Sequence, residues 1–169
     1  MRRAQKLARR LLLVRCNREE EESLKYLVAT HGEFSKGIID SLKLIAGEDL
    51  QVDVFSMTKD KSASDAEKET KAYLEENQGQ ELIVLTDIFG GSVSNLFTNY
   101  LLEGFSFQLI TGVNLPLLLT LVLASETGGV EVENLVETAI EEGKKGVLYV
   151  NQVIQAQGGE IDDTIIIED

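Results

Sequence analysis

Tyr26-Leu27-Val28-Ala29-Thr30-His31-Gly32-Glu33-Phe34-Ser35-Lys36-Gly37 changes its pattern at a single residue. Before His31 the chain is a short, continuous apolar run, as expected of a strand buried on both faces. After it, from Gly32 to Ala46, apolar residues recur at helical spacing. Phe34, Ile38, Leu42 and Ile45 predict one apolar stripe laid against a sheet. A strand that turns straight into a helix puts its turn residue at the carboxyl edge of the sheet, where open α/β folds bind ligands. The residue at that address is the only histidine of the chain, and it is the candidate nucleophile.

The same alternation continues outward from this stretch. Lys25 to Thr30, Gln51 to Met57, Glu81 to Thr86, Phe107 to Thr111 and Gly146 to Asn151 read as short apolar strands. Helical stretches separate them, at about Glu33 to Ala46, Ser64 to Glu76, Ser92 to Leu102, Leu115 to Ala124 and Val130 to Glu142. Strands alternating with helices of this length imply right-handed βαβ units. The expected fold is α/β, a three-layer α/β/α arrangement with a mostly parallel, doubly wound sheet. Leu115 to Ala124 is too short to span a bilayer, and Pro116 suits its first turn, where a missing N–H costs nothing. Thr164-Ile165-Ile166-Ile167 reads as an antiparallel edge strand of a kind that subunits can exchange.

Composition narrows the function. With 169 residues, 43% of them hydrophobic, and a mean hydropathy of −0.03, the chain can bury a full core without disulfides or metals. One cysteine, Cys16, and one histidine leave no expectation of a metal or cofactor, and a reducing cytoplasm is the simplest compartment. The formal net charge of −13 argues against nucleic acid and anionic membrane as partners. All six arginines lie within the first 18 residues, whereas from Leu24 onward 9 lysines face 25 acids, a net of −16. Residues 1–23 therefore look foreign to the domain and read as an N-terminal extension of upstream sequence. Arg18-Glu19-Glu20-Glu21-Glu22 can be encoded by a purine run resembling a ribosome-binding site, and Leu24 by an alternative initiation codon. The expected organisation is this extension, a domain over 24–151, and a C-terminal tail over 152–169.

Leu85-Thr86-Asp87-Ile88-Phe89-Gly90-Gly91-Ser92-Val93-Ser94-Asn95 is the second chemical constellation, and it too follows a strand and opens a helix. Gly90 and Gly91 permit a positive φ and close backbone approach, and Ser92 or Ser94 can cap the helix. A glycine turn into a helix N-terminus presents N–H groups and a positive dipole end, which suits a phosphate. Neither the P-loop nor the dinucleotide spacing is present. A capped Gly-Gly turn and a lone histidine each have an ordinary structural explanation. Their joint placement at strand ends is what points to chemistry.

Three segments, Tyr26 to Gly37, Leu85 to Ser92 and Thr111-Gly112-Val113-Asn114-Leu115-Pro116, resemble in order and spacing the mannose-family EIIA component of the bacterial sugar phosphotransferase system (PTS). The resemblance runs from about Leu24 to Val150. Val93 departs from it, standing where many relatives have proline, and residues 1–23 have no counterpart. The resemblance implies that His31 is the phosphorylated histidine, Asp87 its partner aspartate, and Ser92 a phosphate contact beside Gly90 and Gly91. It also implies that strand one lies next to strand three, so that His31 and Asp87 face each other. As implied partners it brings phosphorylated HPr as donor, a cognate EIIB as acceptor, the membrane components EIIC and EIID indirectly, and a second copy of the chain in a homodimer. The runner-up is a phosphocarrier subunit feeding a dihydroxyacetone kinase, whose active-site surroundings are richer in glycine than His31-Gly32-Glu33-Phe34. A response-regulator receiver needs an acidic pair at the end of strand one, where this chain has Thr30-His31.

Overall fold

The computed structural model describes residues 24–125 and 131–156. Four strands, β1 (Lys25–His31), β2 (Asp53–Met57), β3 (Leu82–Thr86) and β4 (Gln108–Thr111), form one sheet in the order β2-β1-β3-β4. Every pairing is parallel, and the registers set His31 beside Met57, Ala29 beside Thr86, and Thr86 beside Thr111. The order reverses between β1 and β3, so the crevice of an open α/β sheet falls at their carboxyl ends. Six helices accompany the strands among the described residues: α1 (Phe34–Ala46), α2 (Ala63–Glu76), α3 (Ser92–Glu103), α4 (Leu115–Ser125), α5 (Val132–Lys145) and α6 (Val150–Ala156).

The chain divides into two compact units, and the sheet lies in the first, which takes in the described chain up to Asp40 together with Asp49–Gly112. Parallel strands are covered on both faces, and the burial follows suit, with Leu27, Val28, Ala29, Ile83, Val84 and Leu85 all at or below 2% exposure. On one face Leu27, Ala29, Phe55, Leu82 and Val84 pack with Ala66 and Leu74 of α2 and with Val93, Phe97 and Tyr100 of α3. Edge-to-face contacts of Phe97 with Tyr100 and Phe107, at 6.1 and 6.0 Å between centroids, knit this layer. The Tyr100 hydroxyl donates to the Glu67 carbonyl at 2.8 Å, so the ring is buried without an orphaned polar atom. On the other face the Thr30 hydroxyl oxygen accepts the Ser35 N–H at 2.7 Å, fixing the start of α1 against the end of β1.

The second unit comprises Ser41–Glu48 and the chain from Val113. Its main contact joins α4 to α5, where Gly143 lets the helices approach so closely that a Cβ there would stand 2.9 Å from Leu117 Cβ. Asn114 ties the pair together. Its side-chain oxygen accepts the Leu117 N–H at 3.1 Å and its amide donates to the Gly143 carbonyl at 3.0 Å. Pro116 occupies the first turn of α4, as its sequence position predicts. Among the described residues no helix is long and apolar enough to cross a membrane.

Two expectations change. The run from Gly146 to Asn151 forms no strand. Gly146 ends α5 by donating to the Glu142 carbonyl at 3.0 Å, Val147 to Tyr149 are exposed, and α6 starts at Val150. A short apolar run has no helix-or-strand identity of its own. With no ladder available to it among the described residues, it takes local helical bonds instead. The buried face of α1 is Ser35, Ile38, Ile39 and Leu42, while Phe34 and Ile45 are exposed at 47% and 60%. Spacing alone could not tell the stripe that starts at Phe34 from the one that starts at Ser35. No antiparallel strand occurs among the described residues, and Thr164 to Ile167, like the 1–23 extension, lies outside them.

Candidate active site

His31 is the last residue of β1, and the turn beyond it is made by Gly32, whose φ of 57° is in the left-handed region. Asp87 directly follows β3. Because β1 and β3 are neighbours, residues 56 apart in sequence meet at one sheet edge. The Asp87 carboxylate is held from three directions. Its Oδ2 accepts the backbone N–H of His31 and bonds the ring Nδ1, both at 2.8 Å, and its Oδ1 accepts the Ile88 N–H at 2.9 Å.

A carboxylate offers only acceptors, so the proton between Asp87 and the ring resides on Nδ1. That fixes the tautomer and leaves the lone pair on Nε2. The Ser92 hydroxyl lies 2.8 Å from Nε2 and donates to it. Ser92 is the first residue of α3, and the helix has no side-chain cap because its N-cap is Gly91. Ser92 therefore serves the imidazole and not the helix. Ser94, the other expected cap, is buried at 1% exposure. The result is a line of carboxylate, imidazole and hydroxyl, with the ring open to solvent at 41% and the carboxylate sheltered at 16%.

The turn between β3 and α3 is braced from within. Gly90 has a φ of 76° and its carbonyl accepts from the Asn95 side-chain amide at 3.0 Å, while the Gly91 carbonyl accepts the Asn95 N–H at 2.9 Å. The Gly91 N–H is spent on the Ile88 carbonyl at 3.2 Å. Asn95 escaped the sequence reading, although an asparagine in the first turn of a helix after Gly-Gly is a residue able to reach back to that turn. The exposed apolar rim also went unread. Phe34, Ile88 and Phe89, exposed at 47%, 60% and 84%, all lie within three residues of His31 or Asp87. Among the described residues no group of histidine, cysteine, aspartate or glutamate side chains could hold a metal ion.

The family model for the PTS system fructose IIA component, EIIA-man, matches residues 25–140, the stretch that contains this whole arrangement. The chain belongs to the EIIA-man family. It is 23% identical over 126 residues to the PTS mannose-specific EIIAB component of Escherichia coli K12, a match covering 74% of this chain and 39% of that protein. The chain thus spans well under half the length of those EIIAB relatives. The crystal structure of a phosphotransferase system EIIA from Streptococcus agalactiae superposes with a TM-score of 0.67 at 28% identity, covering 76% of this chain and 98% of that one. The PTS IIA protein associated with the fucose utilization operon of Streptococcus pneumoniae gives 0.65 at 29% identity, covering 78% and 96%. In this chain of the EIIA-man family the single histidine stands where β1 ends.

The hydrogen bonds to Asp87 set its acidity. Burial pushes the carboxyl up, but the His31 N–H, the His31 ring and the Ile88 N–H together outweigh burial and hold it below the ordinary aspartate value. A carboxyl depressed in the native state contributes stability in full above its unfolded value, and that contribution drains away as pH falls through the native value. Urea midpoints taken from neutral pH down past the ordinary aspartate value to about pH 3 should therefore fall more steeply in the wild type than in Asp87→Asn, which has no carboxyl to titrate. Parallel curves would mean that Asp87 carries no net interaction in the folded protein.

Proposed function

We propose that His31 is a phosphocarrier, taking a phosphoryl group from phosphorylated HPr and passing it to a histidine of a cognate EIIB in the cytoplasm during sugar uptake through EIIC and EIID. The observation that supports this reading is the line Asp87–His31–Ser92, in which one nitrogen of a solvent-open imidazole is protonated and anchored and the other carries a lone pair that only a serine hydroxyl engages. Phosphoryl transfer asks for positioning and charge stabilisation more than for covalent chemistry.

In the forward step the Nε2 lone pair forms a bond to phosphorus as the donor's P–N bond breaks, its electron pair returning to the donor's ring nitrogen. The Nδ1 proton stays in place, so the product ring is cationic and is stabilised by the Asp87 carboxylate. The Ser92 hydroxyl gives up Nε2 and turns its proton to a phosphoryl oxygen. The backbone N–H groups of Gly90 and Ser92 and the first turn of α3 hold the remaining charge, the Gly91 N–H being spent on the Ile88 carbonyl. From Leu24 onward the chain contains no arginine, and Lys36, on the first turn of α1, is engaged with Glu33 at 2.6 Å. The guanidinium or ammonium that would complete the site comes from the docked partner, and the rim of Phe34, Ile88 and Phe89 supplies the apolar footing for that docking. Transfer is thereby confined to the complex.

The same reading carries a homodimer, supported by the exposed apolar run Val147, Leu148, Tyr149 and Val150. Light scattering at micromolar concentration should give about twice the chain mass, and a single chain mass would remove this part of the proposal. For the chemistry, His31→Ala should abolish phosphorylation by phospho-HPr, since no second histidine exists to replace it. Ser92→Ala removes one hydrogen bond to a charged group, worth about 1.5 to 3 kcal/mol, and should slow transfer about 10- to 150-fold with folding intact. Phosphorus NMR of the loaded protein should show an Nε2 adduct. An Nδ1 adduct would reverse the assignment of the two ring nitrogens.

A further inference from the structure

We propose that Gly91 is a positioning residue for the imidazole: its missing side chain is the space in which the His31 ring stands between Asp87 and Ser92. The two glycines of the turn differ in kind. Gly90 has a φ of 76° and open space around the position of a Cβ, so glycine is favoured there by backbone conformation. Gly91 has a φ of −70° and a ψ of 163°, extended backbone that any residue adopts. What forbids a side chain there is contact. A Cβ would lie 2.8 Å from Ile88 Cγ2, 3.0 Å from His31 Cε1 and 3.2 Å from the Ile88 carbonyl oxygen.

The Ile88 Cγ2 methyl branches directly from Cβ and can move only by a change of χ1, for which the exposed side chain has room. The histidine cannot yield as freely. Cε1 sits between the two ring nitrogens, so pressure on it displaces both, and each is committed to a hydrogen bond of 2.8 Å. Ser92 is covalently joined to residue 91 and travels with it, whereas Asp87 is fixed by the His31 and Ile88 backbone N–H groups. A side chain at 91 would therefore push the ring away from the carboxylate that sets its tautomer. This assignment rests on the phosphocarrier reading for its kinetic consequence, but the placement of the ring can be read in the resting protein alone.

The chain's single histidine makes the test direct, because selective labelling with nitrogen-15 histidine yields one imidazole spectrum. In the full chain, Gly91→Ala should weaken the Nδ1–H signature, with faster proton exchange and ring-nitrogen shifts moved toward a mixture of tautomers. Transfer from phospho-HPr should slow about 10-fold, in keeping with the cost of misplacing a reacting group by a fraction of an ångström. Ile88→Ala alone should leave the ring spectrum unchanged, since it keeps the backbone N–H that holds Asp87. The double variant Ile88→Ala, Gly91→Ala relieves the isoleucine contact only and should keep the displaced spectrum. Recovery of the wild-type spectrum in the double variant would overturn the proposal, showing that residue 91 acts through Ile88. An unchanged spectrum in Gly91→Ala, or loss of fold in both alanine-91 proteins, would overturn it as well. A displaced ring with undiminished transfer would uphold the positioning role and count against the phosphocarrier reading instead.

Discussion

Everything at the carboxyl edge of this sheet depends on one carboxylate. Asp87 gathers three N–H groups from two strand ends, and by doing so it joins the end of β1 to the loop after β3, orients an imidazole and keeps itself ionised. Hydrogen bonds to an ionised acceptor are among the stronger ones available to a protein, and here they link segments that the sheet has already brought side by side. The sheet supplies proximity and the carboxylate converts it into orientation. Without that charge the ring would have no reason to prefer one tautomer, and the hydroxyl on its far side would have no fixed partner.

The site is economical in its materials. Apart from the side chains of His31, Asp87, Ser92 and the bracing Asn95 it is built from main chain: a glycine turn, a helix start left without a side-chain cap, and a close approach of backbone to the imidazole edge. Main-chain groups are positioned by the packing behind them, in this case the aromatic layer of Phe97, Tyr100 and Phe107 that seats α3 on the sheet. On the phosphocarrier reading, the absence of arginine from Leu24 onward fits this scheme, for a permanent guanidinium beside His31 would hold a phosphoryl group as firmly at rest as in a complex.

Much of this was legible from the residues. The four strands that form the sheet and the five helices between Phe34 and Lys145 fall within a few residues of where periodicity puts them, because continuous apolar runs and amphipathic stretches are both written in local order. His31 was recognisable by its position after a strand and before a helix, whereas the parts given to Asp87 and Ser92 followed from the family resemblance, and the contacts among the three depend on β1 lying next to β3. What local order does not carry was misread. The strand expected over Gly146 to Asn151 needed a pairing partner, a non-local fact, and the buried face of α1 was shifted by one residue because two overlapping stripes fit the same sequence. The separate roles of Gly90 and Gly91 were invisible for a related reason. A sequence shows that a side chain is missing, but only the fold shows whether torsion or crowding requires it.

The separation of 56 residues between His31 and Asp87, and 61 between His31 and Ser92, has a consequence for the life of the chain before it is complete. During synthesis the histidine emerges first and remains an ordinary solvated imidazole while β2 and α2 are made. It gains its orientation only when β3 joins β1, a long-range parallel pairing that must wait for both strands and is among the slower events of folding. On the phosphocarrier reading, competence for phosphorylation therefore arrives late and all at once. On that reading a truncated or half-folded product displays the histidine without its carboxylate, and phosphoryl groups would be kept from chains that could not pass them on.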